Sequence, residues 1–128
     1  METNHKLALA VLAGVVIGVG GAATIHAQQV RVPPAYVIAE VDVMDPTTFQ
    51  KYAEKVPGTL TPFDGRYLVR NGKTLTVEGE APKRIVVLGF DSMEKARAWE
   101  DSPAYDAIKP IRHSSAKSRV FIAEGVAH

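Results

Sequence analysis

The chain has 128 residues and a formal net charge of +1, and its hydrophobic and charged contents of 46% and 23% are those of an ordinary globular protein. This near-neutral balance gives no support for nucleic-acid binding, which needs a basic excess or a basic stripe. No cysteine is present, so thiol catalysis and thiolate metal sites are excluded.

An uncharged, apolar run opens the chain. Residues 7–25 lie between Lys6 and the next charged residue, Arg31, and as a helix they would span about 28 Å, close to the roughly 30 Å of a bilayer core. We favour a signal peptide cleaved after Ala27. An uncleaved membrane anchor is the alternative, and a buried soluble helix is disfavoured because the run has no polar face. The run therefore predicts an exported protein, periplasmic or secreted, that touches the membrane only if residues 7–25 stay attached.

The rest of the chain is expected to form one domain. Residues 28–34 contain Val32-Pro33-Pro34, which favours extended backbone, and they are interpreted as a linker. Residues 35–125 suffice for one hydrophobic core and no second domain. Residues 126–128 are a tail.

Residues 35–60 predict a strand followed by a helix. Alternation over 35–43 indicates a strand with one apolar and one half-polar face. Asp45 is placed to cap the helix and Pro46 to occupy its first turn. The buried stripe would consist of Phe49, Tyr52, Ala53 and Val56. Pro57-Gly58 is expected to end or kink this helix.

Residues 63–88 predict a hairpin and an interior strand. A strand over 63–70 leads into Asn71-Gly72, a two-residue hairpin signal. Residues 74–78 are expected to pair back as a short strand, which would add a hairpin arm to the sheet. Residues 85–88 are apolar on both faces, as an interior strand requires.

The last third predicts two helical segments and a strand. Asp91 is expected to cap a helix. The buried side of this helix would consist of Met93, Ala96 and Trp99. Ser102-Pro103 starts a further short turn of helix that carries Tyr105, and Pro110 is expected to stop it. Residues 118–124 form the final strand.

This order, β-α-β-β-α-β, is the ferredoxin-like unit of the α+β class, with a four-stranded antiparallel sheet. Helices cover one face of such a sheet. The other face carries Ile38 and Leu68 and needs a cover too, for which a second copy of the chain is the natural candidate. The expectation is a homodimer that closes as an α/β barrel.

Several segments between residues 35 and 125 carry a family resemblance. The most specific are the Gly-Arg-Tyr-Leu-Val-Arg run at 65–70 and the Trp-x-x-Ser-x-x-Tyr spacing that ends at Tyr105. In order and spacing they resemble the domain-of-unknown-function family numbered 1330. Relatives often carry a second glycine where Asp64 stands and an aromatic residue where Glu100 stands. The resemblance implies a dimeric α/β barrel and no established reaction; wider relatives of that barrel include cofactor-independent monooxygenases, isomerases and haem-handling enzymes.

Arg66 and Arg70 are candidates for ligand binding. They lie four apart in a predicted strand and would share a face with Leu68, where two guanidiniums could clamp a carboxylate or phosphate. The alternative, which we favour, is a polar network with acidic partners. Those partners would be Glu40, Asp42, Glu78 or Glu124.

Tyrosines supply the other candidate ligand contacts. Tyr36 and Tyr105 are added to the ligand-binding set, which would suit a small anionic or aromatic molecule. Tyr52 and Tyr67 could line the same pocket, although packing with the hydroxyls at the rim explains all four as well.

His113, Tyr36 and Glu78 are the candidates for acid–base catalysis. A histidine with an ordinary pKa near ~6.5 suits a general base, but His113 has no acidic neighbour in sequence and is expected in a solvated loop. Glu78 and Glu124 could form an acid–base pair, yet exposed carboxylates are far commoner. No metal site is expected, since a catalytic metal usually needs three protein ligands, and no cofactor is expected.

Three functions remain open. We favour a small-molecule-binding homodimer of the cell envelope, with a pocket between sheet and helices near Tyr36, Arg66 and Arg70. The second is a cofactor-independent monooxygenase or isomerase, and the third is a structural or partner-binding dimer. An open cavity with an unpaired arginine would favour the first two, and a base within reach of the ligand would separate enzyme from binder.

Overall fold

The structure, a computed structural model, describes residues 30–128. The predicted leader at 1–27 and the first residues of the predicted linker lie outside this range. The elements in chain order are β1 (Ala35–Val43), α1 (Pro46–Leu60), a 3-10 turn (Thr61–Phe63), β2 (Arg66–Arg70), β3 (Arg84–Phe90), α2 (Met93–Glu100), α3 (Pro103–Ser115) and β4 (Ala116–Glu124). None of the helices within 30–128 has the length and apolar character needed to cross a membrane.

The four strands form one antiparallel sheet in the order β2-β3-β1-β4. This confirms the ferredoxin-like α+β prediction, with β1 spanning the predicted residues and the second helical region divided into α2 and α3. Val37 and Val41 of β1 are buried on the face that the helices cover. Ile38 points the other way, beside Val87 and Phe121.

Helix α1 begins as predicted and ends later than predicted. The Asp45 carboxylate accepts a hydrogen bond from the Thr48 N–H at 3.2 Å. The helix continues through Pro57 to Leu60, so the prediction that it ends at Pro57-Gly58 is wrong, and the alternative of a kink there stays a prediction. Pro57 has no N–H for the carbonyl of Ala53, and the Arg70 guanidinium approaches that carbonyl at 3.5 Å.

Helix α3 likewise runs through Pro110 and ends at Ser115, contrary to the expected stop. Its buried residues lie at helical spacing: Tyr105, Ile108, Arg112 and Ser115. Burial of this stripe outweighs the roughly 3 kcal/mol that an interior proline costs. His113 therefore lies in the last helical turn and not in a loop.

The predicted hairpin arm does not form a strand. Residues 71–83 contain no helix or strand, so the predicted strand over 74–78 is wrong. Asn71 has a left-handed φ of 52°, but Gly72 does not have a positive φ, so the two-residue turn is absent. Leu75 and Val77 are 89% and 91% exposed, which leaves apolar side chains on this arm in solvent.

Several element starts also differ from prediction, and β4 begins at Ala116 and not at 118. Strand β2 begins at Arg66 and not at 63, because Phe63 belongs to the 3-10 turn and Asp64 has a left-handed φ of 55°. Glycine adopts this φ without strain, and aspartate is among the few other residues that tolerate it. Ser92, not Asp91, caps α2 by accepting the Lys95 N–H at 3.1 Å.

Candidate functional site

A partly open cavity of about 70 Å³ lies between the sheet and the helices. Its apolar wall comes mainly from β1, β3 and α1. The residues of this wall include Val37, Ala39, Val41, Phe49, Ala53, Val56, Val86, Leu88 and Val120. A volume of this size exceeds the space of one water and is about half of the roughly 150 Å³ of an apolar cavity that binds benzene. Only a small group fits inside without side-chain movement.

An aromatic cluster closes one part of the cavity. The Tyr52 and Tyr105 hydroxyls are 2.6 Å apart, and the Trp99 ring lies on Tyr105 with ring centroids 4.0 Å apart. The Trp99 Nε1–H donates to Thr59 Oγ1 at 2.9 Å. Trp99 is 1% exposed, which confirms its prediction as a core residue, yet it also lines the cavity.

The two hydroxyls stay protonated over a wide pH range. Burial raises the pKa of Tyr52 far above its ordinary value, and Tyr105 adds to the increase. Burial also raises the pKa of Tyr105. The Arg112 guanidinium, whose central carbon lies 5.8 Å from the Tyr52 ring centroid, opposes both increases in pKa. Since one hydroxyl donates to the other, the second keeps its hydrogen for another acceptor.

Arg112 is the most unusual polar group of the cavity wall. The residue is 8% exposed, and its Nη1 donates to Ser118 Oγ at 2.7 Å. Its Nε is buried without a hydrogen-bond acceptor. No carboxylate within residues 30–128 forms an ion pair with it. Its other polar neighbours are the Tyr52 ring, with its centroid 5.8 Å from the guanidinium carbon, and the two phenol hydroxyls. None of them carries a negative charge, so the buried cation is costly unless an anion is bound.

Two further arginines line the cavity. The Arg70 guanidinium lies 4.5 Å from the Tyr67 ring centroid, and that of Arg84 lies 4.9 Å from the Phe49 ring centroid. Asn71 lies beside them in the wall. Among residues 30–128 no aspartate, glutamate or histidine lines the cavity. The cavity therefore carries three positive charges and no negative one, which favours an anionic ligand.

The two predicted arginines lie on opposite faces of the sheet. Strand β2 has an irregular register between Tyr67 and Val69, so Leu68 is an additional residue and the alternation shifts by one. Arg70 consequently pairs with Val86 and faces the helices, whereas Arg66 pairs with Gly89 on the outer face. The prediction that Arg66 and Arg70 share a face is wrong for this reason.

The predicted acidic partners are also different. Arg66 lies 3.7 Å from Asp91 in an exposed ion pair. Within residues 30–128 neither arginine forms an ion pair with a predicted partner. Those predicted partners were Glu40, Asp42, Glu78 and Glu124. The polar network expected beneath a dimer is therefore not formed within one chain.

The remaining predicted site residues separate into two groups. Tyr105, like Arg70, lines the cavity. Tyr36 lies on the outer face beside Gly125, and a Cβ added to Gly125 would be 2.6 Å from the Tyr36 ring. His113 and Glu78 are exposed and do not line the cavity. Of the three catalytic candidates, none is brought to this site.

Arg112 and Arg84 were missed from the sequence. The signal for Arg112 was present, because it continues the helical spacing of Tyr105 and Ile108. The assumption that Pro110 stops the helix placed Arg112 in a loop. Residues 30–128 contain no cluster of three or more histidine, aspartate or glutamate side chains that could hold a metal ion.

Solved structures with this fold include proteins of several descriptions. A protein of unknown function from Rhodopseudomonas palustris is similar with a TM-score of 0.62 and 14% identity, over 83% of this chain and 92% of that one. SnoaB, a cofactor-independent oxygenase from Streptomyces nogalater, is similar with a TM-score of 0.53 and 11% identity, over 76% and 97%. A dimeric ferredoxin-like protein of unknown function from Bacteroides fragilis is similar with a TM-score of 0.51 and 12% identity, over 74% of this chain and 99% of that one. At these identities the likeness shows the fold alone.

The sequence itself identifies a family. No curated protein matches the chain significantly. The family model described as domain of unknown function (DUF1330) matches residues 34–126, which include every strand and helix of the sheet and its cover. This protein therefore belongs to the DUF1330 family.

Proposed function

We propose that this protein binds a small organic molecule in the cavity between its sheet and helices. The observation that carries the proposal is a partly open cavity with buried polar groups in its wall: the hydrogen-bonded Tyr52–Tyr105 pair and Arg112, whose Nε has no acceptor. If the region served only as a structural core, filling this space with apolar atoms would increase the stability of the fold. A small number of polar groups at defined positions in an otherwise apolar pocket is typical of ligand sites.

Binding is favoured over catalysis by the composition of the wall. General acid–base chemistry needs a group whose pKa lies near the working pH. The cavity wall of residues 30–128 contains no histidine or carboxylate, and burial moves the pKa of Tyr52 and Tyr105 away from neutrality. A structural dimer without a ligand is disfavoured because it leaves Arg112 Nε unpartnered.

Cofactor-independent oxygenation is the second candidate function. It is supported by the fold shared with SnoaB and by a cavity whose wall includes Trp99, Tyr105 and Tyr52. We choose phenol, a single electron-rich ring, as the probe, which enters this cavity of about 70 Å³ only with side-chain movement. Oxygen consumption that depends on the phenol and stops in a cavity-filled variant would support this function, and phenol binding without oxygen consumption would leave binding alone.

The proposal also includes a homodimer that is exported to the cell envelope. The outer face of the sheet carries Ile38, Leu68 and Phe121, of which the last two are 47% and 45% exposed. A second copy of this chain would cover them, and the related Bacteroides fragilis fold is dimeric. The apolar run at 7–25 supports export to the cell envelope.

The binding function can be tested by filling the cavity. Ala39 lies in the cavity wall, whereas Ala98 is exposed on α2. Trp99 is the only tryptophan of the chain, so its fluorescence reports on the cavity. We expect small aromatic and aliphatic compounds to change this fluorescence in the wild type and in Ala98→Leu, but not in Ala39→Leu. Equal responses in all three proteins would contradict binding in this cavity.

A further inference from the structure

We propose that Arg112 binds the carboxylate of a small organic acid, and that the aromatic and aliphatic wall of the cavity holds the acid's apolar body. This inference rests on the proposed binding function and narrows its ligand to one class. The side chain is more than nine-tenths buried and lines the cavity. Its Nε has no acceptor among the described residues.

The Nε of the Arg112 guanidinium is buried without an acceptor among the described residues. Ser118 Oγ accepts from Nη1, so a carboxylate reaches the edge formed by Nε and Nη2 once neighbouring side chains move. Two parallel N–H groups on that edge match the two oxygens of a carboxylate. An arginine stays charged at any accessible pH, so burial does not remove the need for an anion.

Neighbouring groups reinforce the preference for an anion. The Tyr52–Tyr105 pair lies close to Arg112 and has one hydroxyl hydrogen to donate. Arg70 and Arg84 add positive charge to the same wall, and no acidic side chain of residues 30–128 lines it. A bound carboxylate would be stabilised by hydrogen-bond donors and positive charge, whereas a bound cation would be repelled by three guanidiniums.

The size of the cavity limits the acid. A volume of about 70 Å³ takes a carboxylate and a few carbon atoms. A ring-sized body needs side-chain movement or must extend past Arg70 and Asn71, which are exposed. We therefore choose acetate, butyrate and benzoate as probes, with benzyl alcohol as the neutral counterpart of benzoate.

The experiment is a titration of the full chain with each probe at low chloride, followed by calorimetry and by Trp99 fluorescence. Arg112→Met removes the charge and keeps an apolar side chain. Arg66→Met is the matched control, because Arg66 is exposed on the outer face. Arg112→Lys keeps the charge and loses the two-pronged edge, and it replaces Arg112→Met if that variant does not fold.

We expect at least one carboxylate to bind the wild type and Arg66→Met at least tenfold more tightly than benzyl alcohol. Arg112→Met and Arg112→Lys should lose at least tenfold in affinity for it. Without ligand, Arg112→Met should melt no lower than the wild type, because a buried charge without an anion is removed.

Two results would overturn the inference in different ways. Equal binding of benzoate and benzyl alcohol, unchanged in Arg112→Met, would reject the carboxylate site and leave the binding function standing. No fluorescence or heat change with any probe, together with a lower melting temperature of ligand-free Arg112→Met, would reject both, because Arg112 would then have a structural role.

Discussion

Arg112 and the Tyr52–Tyr105 pair show how burial gives ordinary side chains unusual properties. The hydroxyls are 2.6 Å apart among buried aromatic side chains, so their ionisation would place a negative charge in largely apolar surroundings. The guanidinium, in contrast, has a fixed charge and can respond only by finding partners. Ser118 supplies one of them.

The raised pKa values of both tyrosines predict a loss of stability at alkaline pH. Burial favours the neutral phenol in the folded chain, whereas the unfolded chain ionises near its ordinary pKa of about 10. The contribution of the two tyrosines to the free energy of unfolding is therefore fully present below about pH 10. It falls as the pH rises above this value, because the unfolded state loses these protons first. Melting temperatures between pH 8 and pH 11 measure this decline.

The matched variant is Tyr52→Phe combined with Tyr105→Phe. It removes both hydroxyls and keeps both rings, so its melting temperature should fall less steeply above pH 10. A decline as steep as that of the wild type would show that other groups control alkaline unfolding.

At the scale of elements, the sequence predicted types and order better than ends. Strand β1 and the start of α1 were predicted because alternation and an Asp-Pro cap are local signals. The ends of α1 and α3 were not, because tertiary packing carries both helices through prolines. The face of the sheet on which Arg70 lies depends on one additional residue, Leu68, in β2. A period-two sequence pattern does not reveal such an irregularity.

Two glycines test the packing of these elements. An added Cβ at Gly65 would lie 2.7 Å from Phe90 Cε1 and 2.9 Å from Leu60 Cδ2. Gly65→Ala should lower the free energy of unfolding by about 1–3 kcal/mol through overpacking. Gly58, in the last turns of α1, has no atom within 4 Å of an added Cβ.

Gly58→Ala is accordingly the control and should raise the free energy of unfolding by about 0.5–1 kcal/mol, since alanine loses less backbone entropy in a helix. Urea denaturation measures both variants. Equal effects of the two substitutions would contradict the close approach at Gly65.

At the scale of the whole molecule, the sheet has one face covered by helices and one face open. Ile38, Val87 and Phe121 lie side by side on the open face. Leu68 lies beside Gly89 on the same face, where an added Cβ would be 3.1 Å from its side chain. This arrangement explains why the outer-face residues Tyr36 and Arg66 belong to a proposed dimer surface and not to the cavity.

Charges on the open face should separate the proposed dimer. Phe121→Glu or Leu68→Glu would place a carboxylate in an apolar interface, so sedimentation equilibrium should give the mass of one chain. Ala98→Glu, on the exposed side of α2, should leave the mass of two chains. A wild-type mass of one chain would contradict the proposed dimer before any variant is made.

The most direct test of ligand binding in the cavity is native mass spectrometry of the protein purified from its own host, beside Arg112→Met prepared in the same way. We expect the wild-type protein to carry an additional small-molecule mass, released on denaturation as an organic acid, and the variant to lack it. Wild-type protein free of any added mass, or an identical adduct on both proteins, would contradict this expectation.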